Sequence, residues 1–220
     1  MKPDDFLIKG LAIMGLEVDR QTISLLCRYF EELCRWNKKM NLVAQAAPEQ
    51  ILENHFLDSL TLLKIIESRE SASLLDVGSG AGFPGLVLQA VCRELQVTLV
   101  EPRLKRVSFL KHVIRTLALQ NISVLSQRLE QKQVSAIGPF SLITSRAFTD
   151  MESFLRLVDP YCAVNGKIIC MKGPKAEEEL LAIQHKTILS RYSLTQKVSC
   201  ALPFSRAHRT LLVFTKEKNQ

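Results

Sequence analysis

The stretch Leu74-Leu75-Asp76-Val77-Gly78-Ser79-Gly80-Ala81-Gly82-Phe83-Pro84-Gly85 decides the fold. An apolar run of strand length breaks into a glycine-rich turn, and Pro84 suits the start of a following helix. Glycines let the backbone take positive φ and let a ligand approach the main chain closely. A strand, turn and helix of this kind open a parallel α/β sheet, which delivers its ligand to the carboxyl edge at the topological switch point. Glu101 ends the next apolar run, 23 residues after Gly78, where an acceptor reaches a ribose hydroxyl.

The turn also narrows the cofactor. A dinucleotide fingerprint asks for G-x-G-x-x-G. Counted from Gly78 and Gly80, its last place holds Phe83; counted from Gly80 and Gly82, it closes at Gly85 but puts Pro84 inside the turn. The G-x-G-x-G form, with Asp76 two residues ahead, suits a nucleoside cofactor without pyrophosphate. S-adenosylmethionine fits, because nearby carboxylates and carbonyls receive its cationic amine and sulfonium. A tight strand–helix turn without any ligand is the plainer alternative.

Outward from the turn, short apolar runs alternate with amphipathic stretches, the pattern of a parallel sheet with crossover helices. Strands are predicted at 74–77, 97–101, 122–125, 141–145, 167–172, 193–200 and 209–216, with helices near 85–94, 104–119, 150–160 and 175–190. The last two strands have no helix between them and are expected to pair as an antiparallel hairpin at one edge. Residues 1–70 read as a helical extension and 71–220 as a Rossmann-like domain, a three-layer α/β/α sandwich. Within the extension, Asp19 can cap a helix running to about Met40, with Ile23, Leu26, Cys27, Phe30, Leu33 and Trp36 at helical spacing. Pro48 can begin another, with Ile51, Leu52, His55, Phe56, Leu60 and Leu63 on one side.

Composition excludes several classes. Hydrophobic residues are 47% and charged residues 23% of the 220-residue chain, which argues against disorder. No stretch approaches a membrane span, and Asp4 and Asp5 interrupt what a signal peptide would keep basic. Six cysteines without a C-x-x-C pair read as reduced thiols of a cytoplasmic protein, and the four scattered histidines offer no zinc spacing. A net charge of +7 permits a polyanionic partner.

Trp36-Asn37, Asn41-Leu42, His55-Phe56-Leu57-Asp58-Ser59-Leu60 and the glycine turn resemble, in that order, the RsmG (GidB) family. Glu101-Pro102-Arg103-Leu104-Lys105-Arg106 with Phe109-Leu110, then Ser145-Arg146-Ala147-Phe148 and Lys172-Gly173, continue the match as far as about Val213. Val43 stands where the family usually has Thr, Asn54 where a basic residue is common, and Leu129 where Ala or Val is usual. The resemblance implies a class I, S-adenosylmethionine-dependent methyltransferase acting on N7 of guanine 527 in 16S rRNA. It places cofactor contacts on Gly78, Phe83, Glu101, Leu129, Glu130 and Arg146, beside Asp76, Ser79, Gly80 and Gly82 of the turn. The implied partner is 16S rRNA, as a small subunit or an assembly intermediate, met by a monomer.

Guanine N7 carries a free lone pair, so its methylation needs no general base. The end of the fourth strand agrees: it holds Ser145-Arg146-Ala147-Phe148 and neither an Asn-Pro-Pro block nor a cysteine. Arg146 is expected at the cofactor carboxylate or an RNA phosphate, with a structural ion pair as the alternative. Phe148 is expected either to stack on the guanine or to fill core. Arg103, Lys105, Arg106 and Lys172 are candidate phosphate contacts, with Arg35, Lys38 and Lys39 as a second cluster. His55 and Asp58, three apart, read first as a structural or capping pair beside the cofactor mouth. A small-molecule methyltransferase, a nicotinamide-dependent dehydrogenase and an RNA-binding protein without turnover are the competing functions.

Overall fold

The computed structural model describes residues 1–66, 72–130, 137–146 and 150–218. Two long helices come first. Helix α1 (Pro3–Met14) carries Asp4 and Asp5 in its first turn, where carboxylates complement the helix dipole, and Gly15 ends it at φ +68°. Helix α2 (Arg20–Met40) starts as the sequence predicts: the Asp19 carboxylate accepts from the Thr22 amide at 2.8 Å. It ends where Asn41 turns left-handed at φ 48°. The Asn37 side chain then accepts from the Val43 amide at 2.9 Å, so the Trp36-Asn37 and Asn41-Leu42 motifs fix the exit from the helix.

The stretch from Pro48 is not one plain helix. Helix α3 (Pro48–Ile51) opens into a π-helical turn (Leu52–Leu57), then α4 (Asp58–Leu60) and a 3₁₀ turn (Thr61–Lys64). Widened turns of this kind aim a side chain away from the regular repeat. Leu52, Phe56, Leu57, Leu60 and Leu62 are all buried, while Asn54 and His55 face outward toward the site.

The sheet has seven strands: β1 (Ser73–Val77), β2 (Gln96–Val100), β3 (Ile122–Leu125), β4 (Phe140–Ser145), β5 (Cys162–Lys172), β6 (Tyr192–Ala201) and β7 (His208–Lys216). Their order is β3-β2-β1-β4-β5-β7-β6. The first five are parallel neighbours, and β7 runs antiparallel between β5 and β6. The expected edge hairpin is present, and the sheet reverses direction of growth between β1 and β4. Only β5 differs much from the predicted run, starting five residues early. Asn165 at φ 62° and a crowded Gly166 form a bulge there, which reads as a turn in sequence.

Alternation along the strands divides the core. Leu74, Leu99, Leu142, Ile169, Leu211 and Val213 face one layer, which holds α5 (Gly85–Val91), α6 (Leu104–Thr116) and the N-terminal helices. Leu75, Val100, Ile143, Ile168, Leu212 and Phe214 face the other, which holds α7 (Met151–Val158) and α8 (Ala176–Ile183). The predicted helix over 175–190 stops at Ile183 and resumes as a 3₁₀ turn (Thr187–Arg191). Residues 1–66 share one continuous apolar cluster with the sheet, so the extension is packed as part of the α/β layer. Phe6 and Phe204, with ring centroids 4.2 Å apart, join its first helix to the β6–β7 connection.

Candidate active site

The glycine turn leaves the carboxyl end of β1 at the switch point. Gly78 and Ser79 donate their amides to the Val100 carbonyl at 2.9 and 3.1 Å. The Ser145 hydroxyl donates to the Val77 carbonyl at 2.7 Å, which ties β4 to β1 at the same edge. Gly78 and Gly80 take φ of 74° and 59°, as the sequence requires. A Cβ on Gly80 would meet nothing nearer than Arg106 at 3.8 Å, so open space lies over this residue. Glu101, 2% exposed, walls that space. Its carboxylate accepts from the Gly80 amide at 3.0 Å and the Arg103 amide at 2.8 Å, with Arg106 Nη1 at 3.7 Å.

Other turn residues serve the turn itself. Gly82, at φ +100°, is glycine for packing: a Cβ there would lie 2.7 Å from the Tyr29 hydroxyl. Ser79 donates to the Asp76 carbonyl at 2.9 Å. Asp76 is fully buried, and its Oδ2 accepts from the Gly85 amide at 2.9 Å, which anchors the start of α5. Its Oδ1 is buried without a hydrogen-bond partner. Burial pushes this carboxyl up to about 6, against the pull of the Gly85 bond and Arg146. Phe83 is buried in an aromatic group, its centroid 5.4 Å from Tyr29 and 5.0 Å from His55. Leu129 is buried; Glu130 is exposed, and its carbonyl accepts from the Tyr161 hydroxyl.

Arg146 follows β4 directly and reaches across to the π-helical turn. Nη1 donates to the Asn54 carbonyl at 3.1 Å and lies 3.5 Å from Asp58 Oδ2. Nη2 donates to His55 Nδ1 at 3.0 Å, and the guanidinium carbon sits 5.2 Å from the Phe83 ring centroid. Because His55 Nδ1 accepts, its ring proton sits on Nε2. Burial first, and the Arg146 charge second, pull His55 down to about 4, so it is neutral. Asp58 Oδ1 receives Arg209 Nε at 2.8 Å. Burial raises the Asp58 carboxyl, and the two arginines oppose that rise.

The structure places the remaining candidate residues as follows. His55 and Asp58, read as a pair, each meet the Arg146 guanidinium, at 3.0 and 3.5 Å. The Arg146 fork, expected on carboxylate or phosphate oxygens, is held by the π-helical turn. Lys172 is not a surface cation: it is buried, with its Nζ 2.6 Å from Glu179 Oε2. It lines a cleft of about 280 Å³ with Asn54, Asp58, Arg146 and Arg209. Ala147 and Phe148 lie outside the described residues. Arg103 and Lys105 are exposed, as expected of phosphate contacts.

Sequence reading missed Tyr29 and Arg209. Tyr29 is fully buried; its hydroxyl donates to the Ala81 carbonyl, so α2 clamps the glycine turn. Tyr29 lies three residues after Leu26 and four before Leu33, so its spacing is that of a core position and only its hydroxyl signals more. Arg209 meets Asp58 across 151 residues, and no local pattern announces that. Among the described residues no cluster of ligands for a metal occurs, and no helix is long and apolar enough to cross a membrane.

Comparison with known proteins gives the family and the fold. The sequence model for rRNA small subunit methyltransferase G matches residues 22–209. The ribosomal RNA small subunit methyltransferase G of Desulfotalea psychrophila is 42% identical over 209 residues, covering 94% of this chain and 95% of the relative. The enzyme of that name from Myxococcus xanthus is 38% identical over 216 residues, covering 97% of each. A solved structure of an MtNAS mutant in complex with S-adenosylmethionine shares the fold, with a TM-score of 0.58 at 16% identity over 91% of this chain and 80% of the other. Over nearly its whole length, with a Rossmann-like methyltransferase sheet beneath its glycine turn, the chain belongs to the rRNA small subunit methyltransferase G family.

Proposed function

We propose that the chain binds S-adenosylmethionine at the glycine turn and methylates N7 of a guanine in 16S rRNA, guanine 527 by family resemblance. The observation that carries this reading is the open space over Gly80, walled by Glu101 at the switch point of the sheet. When bound, the cofactor supplies a methyl group on a sulfonium, open to in-line displacement. Glu101 retains lone pairs beyond its two amide bonds and suits ribose hydroxyls. The unpartnered Asp76 Oδ1 suits the cofactor's cationic amine. Gly80 leaves the main chain bare where the cofactor would be held.

The acceptor needs no proton removed, and the site is built accordingly. His55 is neutral, but its free lone pair is already spent on Arg146. Arg146 is a positioning residue: held by Asn54 and His55, its guanidinium lies 5.2 Å from the Phe83 ring of the turn. Rate then comes mainly from alignment, for which about 7–11 kcal/mol is available in well-oriented pairs. The exposed Arg103 and Lys105 suit RNA phosphates. Incubation with labelled S-adenosylmethionine and unmodified small-subunit RNA is expected to place label on guanine N7. Label confined to small metabolites, or found on another base atom, overturns the assignment.

A further inference from the structure

Trp36 is the one tryptophan of the chain. It is neither core nor fully exposed. One side of its indole leans on Phe109 and His112, with centroids 5.6 and 5.0 Å away. The rest lines a cleft of about 360 Å³ together with Arg35, Lys39 and Met40. Beneath it Glu32 meets His112 at 2.8 Å and Arg35 at 3.2 Å, and the Arg35 side chain stays 72% exposed, open to a second anion. Lys38 and Lys39 form no ion pair among the described residues. The helix dipole accounts for lysines in the last turn of α2. It does not account for an indole left partly open beside Arg35 and Lys39.

The packing of α2 on α6 decides where this cleft lies. Arg28 reaches the Thr116 carbonyl at 2.7 Å, Glu32 reaches His112, and Trp36 reaches Phe109. The two helices are therefore antiparallel. The C-terminal end of α2 points toward the N-terminal end of α6, where Arg103, Lys105 and Arg106 follow β2 beside the glycine turn. The helix end that carries Arg35, Lys38 and Lys39 is thereby brought toward the end that carries Arg103, Lys105 and Arg106, some 65 residues away in sequence.

We propose that Trp36, with Arg35 and Lys39, forms a stacking platform for an unpaired nucleotide of the RNA substrate, away from the methylated base. This rests on the reading of the substrate as RNA. An aromatic face accepts any base, and flanking cations hold the phosphates on either side; such stacking contributes of the order of ten-fold in affinity per base. The platform binds and orients; it takes no part in methyl transfer.

Because emission reports Trp36 alone, titration with a single-stranded fragment of small-subunit rRNA reads the platform directly. Saturable quenching is expected, together with about ten-fold weaker RNA binding in Trp36→Leu. Trp36→Phe is expected to recover part of that affinity. The pair Arg35→Ala and Lys39→Ala should raise KM for RNA while kcat and affinity for S-adenosylmethionine stay at the parent values. Circular dichroism checks folding, and the double variant leaves the indole packing intact if Trp36→Leu does not fold. RNA that saturates the protein with emission unchanged, or binds Trp36→Leu as tightly as the parent, overturns the platform. Methylation of guanine N7 by the parent in that same case leaves the proposed function standing; loss of RNA binding by the parent removes both.

Discussion

At Gly80 a Cβ would enter open space, whereas at Gly82 it would enter the Tyr29 hydroxyl. The two glycines are therefore needed for opposite reasons, and substitution separates them. Gly80→Val is expected to abolish S-adenosylmethionine binding in calorimetry while the sheet stays folded. Gly82→Ala is expected to lose about 2–4 kcal/mol in urea denaturation, from a left-handed backbone and an overfilled contact. His55 carries a pH signature. Its folded value of about 4 lies below the ordinary 6.5, so the unfolded chain binds more protons between those values. Stability from this residue is fully present above pH 6.5 and is lost as pH falls through about 4, by at most about 3 kcal/mol. In His55→Gln the gain in urea stability between pH 5 and pH 7 should shrink. An unchanged gain would mean that the ring is not held neutral by burial.

Helix α2 is the element that joins the extension to the site. Tyr29 and Trp36, two turns apart on one face, meet the glycine turn and Phe109 of α6 respectively, and Glu32 ties the helix to α6. Tyr29→Phe keeps the ring and removes only the hydroxyl. Leaving the buried Ala81 carbonyl unpaired is expected to cost about 1–3 kcal/mol. Affinity for S-adenosylmethionine should fall with it, because the turn loses its clamp; equal affinity in both proteins would separate the helix from the site. The π-helical turn plays the matching part opposite. It delivers the Asn54 carbonyl and His55 Nδ1 to one guanidinium, and a regular helix over the same residues would present them at different angles.

For the whole molecule, the net charge of +7 becomes an argument about RNA only through its placement. Lys172 pairs with Glu179 and Arg106 faces Glu101, which leaves Arg103 and Lys105 as the cations at the α6 start without an ion pair among the described residues. Changing those two to Ala should lower the slope of log affinity against log salt by roughly 1.4 on single-stranded RNA, read by filter binding at several salt concentrations. An unchanged slope moves the RNA surface elsewhere. How far the chain could be read in advance follows from the range of each force. The seven strands, the glycine turn, the α2 cap at Asp19 and the placement of Glu101 are local: periodicity, left-handed glycines and capping side chains act within a few residues, so the linear order of residues determined them. Packing of the extension into the same core, the bulge in β5, the Tyr29 clamp and the Asp58–Arg209 pair depend on groups brought together from distant parts of the chain. Sequence spacing carries no information about such meetings. Only the tertiary fold decided that Lys172 is buried, that Arg146 faces His55, and that the end of α2 points toward the start of α6, because burial and close approach are properties of packed surfaces and not of neighbouring residues.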